Sequence, residues 1–470
     1  MLATALRSAL APVLLALVIF EFARLATGIV PGWEASQALF SMAARAGFIV
    51  LCLIGLVVCS IREWALLGAA IILGALLAAV PDGQRTLAAA LDLGAFFGVF
   101  IAMLTVMKEA ATRSRSVAQV GIFLTSQPPG RRFFSVAFGS HVMGAFLNFS
   151  AVSLISPLIQ KGARASTVKA GADLERRQLS ALLRGFSWIL LWAPTTLTQA
   201  VLLKLFAGVD YVQLLALGIG SSILMILVGR VFDRIEWRNA APVGVVRHLA
   251  FPRASFWVVS AVCSLLIATT YLVKSVTGFS VAEALVFVAP TITLGWLVGQ
   301  GHVRGNTERT GRTFDRIASI LQGSAPDLAR SAIALGLSGF IGRVAANILP
   351  IDEIAQWMGP SNLSGWLFLS SLPILITLGG QIALSPIVFV VFLGEIITAL
   401  PALPADPTLI VFALSVGWAL SMTASPNATA TLLISATCNI APTTLTWRWN
   451  AHYALACYVI FSGIFFLLSR

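Results

Sequence analysis

Charged residues are scarce in this chain of 470 residues. Asp, Glu, Lys and Arg make up 11% of it, whereas soluble domains carry about 25%. Hydrophobic residues reach 58%, and the mean hydropathy is +0.92. This composition excludes a soluble globular protein. Several apolar runs exceed the roughly 18 residues that a helix needs to cross a bilayer, so the sequence predicts an all-α protein that crosses the membrane many times.

Histidine and cysteine are also few, with four and five copies. The cysteines lie in or beside apolar segments without metal-ligand spacing, and we interpret them as small buried hydrophobes. The chain has no glycine-rich nucleotide-binding loop, which argues against ATP-driven transport by this chain alone. Scarce histidine and short outer loops argue against an enzyme. A membrane-embedded enzyme that acts on a lipid-linked substrate and an ion channel are the two alternatives to a transporter.

The net charge of +12 is concentrated in a few loops, and the other long connections are poor in Lys and Arg. The strongly basic loops are 108–132, 161–184, 230–254 and 301–330. The positive-inside rule places these loops in the cytoplasm, which explains the charge without a nucleic-acid partner. We predict a multi-pass protein of the inner (plasma) membrane, with its N-terminus in the cytoplasm and its C-terminus outside.

Two apolar runs read as re-entrant hairpins. The run 133–160 separates two cytoplasmic loops, which a single crossing would place on opposite sides, so we predict an inner hairpin that turns near Asn148. The run 363–400 is too long for one crossing at about 1.5 Å per residue. We predict that it forms an outer hairpin, which enters from the other side and turns near Gly380.

A helix with a polar interruption follows each hairpin. These helices span 179–206 and 407–436, with a first break at 193–198 and a second break at 425–429. Pro194 follows Asn148 by 46 positions, and Pro426 follows Gly380 by the same 46. Interrupted helices at matching positions of two inverted halves indicate the binding site of a transporter, because unpaired backbone is tolerated at membrane depth only in protein or beside a wet cavity.

The complete prediction is about eleven transmembrane helices and two re-entrant hairpins in an inverted repeat. We divide the chain into N-terminal scaffold helices, a first transport unit, linker and scaffold helices, and a second transport unit. These segments are 1–107, 108–229, 230–347 and 348–470.

This order of helices, hairpins and breaks resembles the ion transporter superfamily over nearly the whole chain. That group includes divalent anion/sodium symporters and their citrate and arsenite relatives. The resemblance implies that tips and breaks meet near the membrane midplane and bind one small anionic substrate and, in the symporters, sodium ions. No other cofactor is expected. It also implies an elevator movement against a scaffold that forms a homodimer. The branch stays open, because the dicarboxylate branch has Ser-Asn-Thr at both tips and this chain does not.

The predicted substrate- or ion-binding residues lie at the two tips and the two breaks. Glycine lets backbone groups approach a ligand closely, proline frees carbonyl groups for a cation, and the N-terminus of a half-helix suits an anion. The residues are Asn148 and Ser150 at the inner tip, Pro194, Thr195, Thr196 and Thr198 at the first break, Gly379, Gly380 and Gln381 at the outer tip, and Ser425, Pro426, Asn427 and Thr429 at the second break.

Three ionisable residues within apolar segments are further candidates, since such residues are rare in membranes and often functional. Arg343 could pair with a substrate anion or extend to the interface. Glu395 is a candidate proton carrier or an outer-interface residue. His141 titrates in a range that suits proton coupling, although a hydrogen bond between helices is the favoured role. The sequence thus predicts a secondary active transporter of a small anion, an organic acid, coupled to sodium or protons.

Overall fold

The structure is a computed structural model that describes residues 2–112, 114–164, 168–238, 250–302, 309–350, 353, 364–382 and 386–469. Over these ranges the chain is helical, without a β-strand. Nine of the described helices are long and apolar enough to cross a membrane. The predicted all-α, multi-pass class is confirmed. The count of about eleven crossings and the re-entrant path of the hairpins stay predictions.

Eighteen α-helices are described, together with short 3₁₀ turns at Leu77–Ala79 and Ser187–Leu191 and a π-helical turn at Thr444–Arg448. The helices are α1 (Leu2–Thr27), α2 (Glu34–Gly55), α3 (Ile61–Leu76), α4 (Gly83–Thr112), α5 (Arg115–Thr125), α6 (Pro129–Leu147), α7 (Phe149–Arg164), α8 (Val168–Phe186), α9 (Leu197–Leu205), α10 (Tyr211–Glu236), α11 (Arg253–Thr277), α12 (Val281–His302), α13 (Arg309–Ile348), α14 (Gly365–Gln381), α15 (Pro386–Ala399), α16 (Pro407–Ala424), α17 (Thr429–Cys438) and α18 (Ala451–Leu468).

The chain forms two compact units. Unit 1 contains Met1–Ala110, Ser264–Ala355 and Val391–Pro401. Within it α1 packs on α2, and α13 packs on α3 and α1. The buried Glu21 and the half-buried Asp92 of this unit have basic partners: Glu21 accepts from Arg24 Nε at 2.9 Å, and both Asp92 oxygens accept from Arg45 at 2.7 Å. Pairing of this kind offsets the cost of placing a charge away from water.

Unit 2 contains Ala111–Cys263, Gln356–Val390 and Ala402–Arg470. The inner hairpin consists of α6 and α7, which are joined at Asn148 with a positive φ of 51°. Helix α8 packs on both arms. A Cβ atom at Gly185 would lie 2.0 Å from Ala137 O, so the close contact between α8 and α6 requires glycine there.

The outer hairpin consists of α14 and α15, and residues 383–385 between them lie outside the described residues. Its first arm, α14, packs on α16 in unit 2. The last part of α15, from Val391, clusters with unit 1. The predicted second transport unit, 348–470, contains this whole arm.

Several helices begin earlier than predicted. Their first residues are charged amphipathic stretches, which the loop charges predict to be cytoplasmic loops. Helix α8 begins at Val168, whereas the predicted interrupted helix begins at 179. Helix α13 begins at Arg309, inside the predicted loop 301–330, and α5 occupies part of the predicted loop 108–132. A helix with one apolar face has low mean hydropathy, so long apolar runs do not reveal it.

Candidate functional site

The first break is tied to the inner hairpin. The chain leaves the helical path after the turn Ser187–Leu191, and α9 begins at Leu197. Thr195 Oγ1 donates a hydrogen bond to Ala145 O, in the last turn of α6. Thr196 Oγ1 donates within the break, to Ala193 O at 2.7 Å. Two of the predicted threonines therefore donate hydrogen bonds to backbone carbonyl groups. Of these, Thr195 connects the break to α6, the arm that leads to the inner tip.

The second break is tied to the outer hairpin in the same way. Ser425 Oγ donates to Gly380 O at 2.6 Å. Asn427 Nδ2 donates to Gly380 O at 3.1 Å and to Gln381 O at 3.0 Å. A Cβ atom at Gly380 would lie 2.5 Å from Ser421 Oγ. The outer tip thus contacts the second break through backbone that a larger residue would displace.

The two halves make analogous contacts, although not at positions that the 46-residue spacing equates. In each, a hydroxyl group in the break donates to a carbonyl near the end of the hairpin's first arm: Thr195 to Ala145, and Ser425 to Gly380. The breaks satisfy carbonyl groups that a helix end leaves without an internal partner. The structure therefore brings each predicted tip together with the break of its own half.

The two interrupted helices also contact each other within unit 2. Helix α16 packs on the turn Ser187–Leu191 and on α9, while α17 packs on α7. Gln199 Nε2 donates to Leu190 O at 2.8 Å and to Ser415 Oγ at 3.1 Å, and so connects the first break to α16. Gln160 Nε2 donates to Cys438 O at 3.0 Å, which connects α7 to the end of α17.

Several buried polar atoms near the tips and breaks have no hydrogen-bond partner within the described ranges. A buried polar group without a partner costs about 1–3 kcal/mol, so each such atom requires an explanation. The atoms are Asn148 Oδ1, Ser150 Oγ, Thr198 Oγ1, Gln199 Oε1 and Ser421 Oγ. Four of the five belong to the first half, at the inner tip and the start of α9.

Gln199 is a candidate that sequence reasoning missed. Its side chain is fully buried, and its Oε1 faces no donor among the described residues. The amide orientation follows from the bond to Leu190 O, because a carbonyl group only accepts. The available signal was a glutamine directly after Thr198 in a helix that is otherwise apolar apart from Lys204.

The remaining tip and break residues occupy the expected positions. Pro194 and Pro426 lie in the nonhelical part of the breaks, and Thr429 is the first residue of α17. The described atoms nearest to a Cβ atom at Gly379 would belong to Phe389, the first of them at 3.4 Å. Helix α9 begins at Leu197, inside the predicted first break, and α17 begins at Thr429, the last residue of the second. Their first N–H groups lack helical partners and carry partial positive charge.

His141 connects helices through both ring nitrogens. Nδ1 lies 3.0 Å from Gly185 O, and Trp192 Nε1 donates to Nε2 at 3.0 Å. Because the carbonyl must accept and the indole must donate, this network assigns a neutral imidazole with its proton on Nδ1. His141 therefore makes hydrogen bonds that connect helices, which is the role that the sequence favours.

Arg343 and Glu395 pair with each other. Arg343 Nη1 donates to Glu395 Oε2 at 2.6 Å, where the arginine is half-exposed and the carboxylate is buried. Both residues belong to unit 1, whereas the tips and breaks belong to unit 2. In this structure each side chain satisfies the charge of the other, so their predicted roles toward an anion or a proton have no direct geometric support.

No family model matches the chain, and no curated protein matches it. Solved structures do match. The YdaH transporter of Alcanivorax borkumensis, reported to have an unusual topology, aligns with a TM-score of 0.58 at 17% identity, over 86% of this chain and 97% of that one. MtrF of Neisseria gonorrhoeae, described as illuminating a class of antimetabolite efflux pumps, aligns with a TM-score of 0.54 at 15% identity, over 85% and 94%.

The chain has the fold of these transporters. At such identities the likeness concerns the fold alone. The resemblance to divalent anion/sodium symporters stays a prediction, because neither structure is described in those terms.

Proposed function

We propose that this protein is a secondary active transporter that moves a small organic anion across the plasma membrane. The observation that carries the proposal is the bond that each half makes between its break and its hairpin: Thr195 to Ala145 in one half, and Ser425 to Gly380 in the other. Paired interruptions of this kind suit a site that binds a solute at membrane depth. The fold shared with solved transporters supports the same function.

An anion is the substrate class that the site suits. The described residues of the tips and breaks include no lysine or arginine, so positive potential there comes from the starts of α9 and α17. The hydroxyl groups of Ser150 and Thr198 are buried without a partner in the part of the chain that the structure describes, and they can donate to a carboxylate. Buried hydroxyl donors of this kind fix the orientation of a small ligand.

Coupling to sodium or to protons completes the proposal. A proton carrier needs an ionisable group that can exchange its proton during the cycle. His141 uses both ring nitrogens in helix packing, and Glu395 is held by Arg343. These contacts favour sodium, which the break carbonyl groups and the amide oxygens of Asn148 and Gln199 can coordinate. We further propose an elevator movement in a homodimer, as the superfamily resemblance implies.

Ligand-induced thermal stabilisation of the purified protein tests the substrate class. Carboxylates, oxyanions and sugar acids are screened with and without sodium at two pH values, together with antimetabolites because of the description of MtrF. A ligand at about 100 times its Kd should add roughly 2.7 kcal/mol of stability. Each hit is then assayed for uptake and export in proteoliposomes under imposed sodium or pH gradients.

The outcomes separate the alternatives. Stabilisation that requires sodium, followed by sodium-driven flux, supports the proposal in full. Flux that follows the pH gradient alone replaces sodium with protons. Flux of ions through the protein without saturation or coupling would replace the transporter with a channel. Turnover of a lipid-linked substrate without solute flux would identify an enzyme.

A further inference from the structure

A fully buried arginine lies beside the turn that precedes α18. Arg184, at the end of α8, donates from Nε to Asn450 Oδ1 at 2.8 Å and from Nη2 to Trp449 O at 3.2 Å. The same Nη2 lies 3.4 Å from Glu236 Oε2, and the guanidinium lies 4.9 Å from the centre of the Tyr453 ring. A buried charge is stable only with such partners, so these contacts fix the turn against α8.

The turn itself is internally bonded and presents an indole group. Asn450 Nδ2 donates to Leu445 O at 2.7 Å, and residues Thr444–Arg448 form a π-helical turn, a conformation that is often found at functional sites. Trp447 extends from this turn, and its Nε1 donates to Gln381 Oε1 at 3.0 Å. The indole is 55% exposed, so the hydrogen bond is its specific contribution rather than core packing.

Gln381 also bonds the second break, and so connects Trp447 to it. Its Nε2 donates to Ala424 O at 3.2 Å and to Thr377 O at 3.4 Å. Both partners are carbonyl groups, which only accept, so Oε1 must be the atom that faces the Trp447 indole. Ala424 is the last residue of α16, and its carbonyl lies where the second break begins.

We propose that Trp447 is a positioning residue that holds the outer tip on the second break, and that Arg184 fixes the turn that carries it. With the bond intact, Gln381 covers Ala424 O. Without it, the Gln381 amide loses one of its partners and its hold on Ala424 O weakens, while Ser425 and Asn427 still bond the tip backbone. The effect of losing the Trp447 bond on transport rests on the proposed function. Its effect on the outer tip does not.

Hydrogen–deuterium exchange of the full-length protein without any solute tests the tip. The substitution Trp447→Phe keeps an aromatic ring and removes the N–H donor. Gln381→Leu removes the acceptor together with the bonds to Ala424 O and Thr377 O. Trp447→Phe should raise exchange over residues 379–382 roughly fivefold, the factor expected for one net hydrogen bond, and Gln381→Leu should raise it at least as much. The double variant should show no rise beyond that of Gln381→Leu, because the Trp447 contact is already lost in that variant. Trp447→His keeps a ring N–H and should restore part of the protection.

Trp257→Phe is the matched control. Trp257 is 69% exposed in unit 2, and its ring contacts Phe256, a contact that phenylalanine can retain. Exchange over 379–382 should stay unchanged in this variant. Arg184→Lys keeps the charge but loses the fork of donors, and should raise exchange over both 444–450 and 379–382. If Arg184→Lys does not fold, the Trp447 and Gln381 variants still decide the matter.

The results distinguish this inference from the proposed function. Unchanged exchange in both Trp447→Phe and Gln381→Leu overturns the positioning role, even where transport is found. Raised exchange with an additive double variant overturns the direct contact. Raised, non-additive exchange establishes the positioning role, even where no solute is transported by the unaltered protein. Where transport is established, Trp447→Phe should change its rate while Trp257→Phe does not.

Discussion

At the scale of single residues, the hydroxyl groups without partners are the strongest indication of a ligand. Ser150 and Thr198 are buried, and neither hydroxyl has a partner in the described part of the chain. A serine or threonine that contributes only to folding would be better replaced by a residue without the hydroxyl group. One such group at the inner tip and one at the first break are consistent with a use in binding.

Replacing these hydroxyl groups should separate binding from stability. Ser150→Ala and Thr198→Val should leave the Tm unchanged or raise it, while substrate affinity falls about tenfold, or about 1.4 kcal/mol. Ser156→Ala is the control, because its buried Oγ donates to Val152 O at 2.7 Å; it should lower stability by about 1 kcal/mol without affecting affinity. Equal affinity in all four proteins would contradict the assignment. Thermal unfolding and ligand titration supply both measurements.

The two neighbouring glycines of the outer tip should respond differently to alanine. At Gly380 a Cβ atom would lie 2.5 Å from Ser421 Oγ and 3.1 Å from Ser425 Cβ. Gly380→Ala should therefore destabilise the protein by about 1–3 kcal/mol and abolish transport. Gly379→Ala, whose Cβ would make ordinary contacts with Phe389, should be tolerated. Similar loss in both variants, measured by unfolding and flux, would show that the close approach at Gly380 is not decisive.

At the scale of elements, the sequence predicted where polar residues interrupt helices, but it did not predict the amphipathic helices. Asn148 and Pro426 interrupt long apolar runs, and the structure places the end of a helix at each interruption. The start of α8 at Val168 was missed because basic residues there masked its one apolar face. Gln199 was missed for another reason: its role depends on Leu190 O and Ser415 Oγ, and only the folded chain brings these atoms to it.

Two neighbouring threonines offer a test of how the first break holds the inner hairpin. Thr195→Val removes the donor to Ala145 O in α6, whereas Thr196→Val removes a donor to Ala193 O within the break itself. Hydrogen exchange over 145–150 should rise several-fold in Thr195→Val, because the arm loses its link. It should change little in Thr196→Val. A larger rise in exchange in Thr196→Val than in Thr195→Val would show that bonds within the break fix its own conformation and that Thr195 does not position the hairpin.

At the scale of the whole molecule, contacts between the two halves bear on the mechanism. Within unit 2, Gln199 connects the first break to α16, and Gln160 connects α7 to Cys438 at the end of α17. These bonds join elements of the two repeats into one packed unit. An elevator mechanism requires that unit to move as a body, whereas a rocking mechanism moves one repeat against the other.

A covalent link between the repeats distinguishes these mechanisms. Gln160→Cys places a second thiol opposite Cys438, where Gln160 Nε2 now lies 3.0 Å from the Cys438 carbonyl. Bridging the two thiols with a short bifunctional reagent should leave transport nearly unchanged, because an elevator needs no movement between α7 and α17. The unaltered chain treated with the same reagent controls for modification of Cys438 and of the other four native cysteines. Loss of transport that a reducible bridging reagent restores on cleavage would favour rocking of the repeats, since the fold would then be intact and only their relative movement blocked.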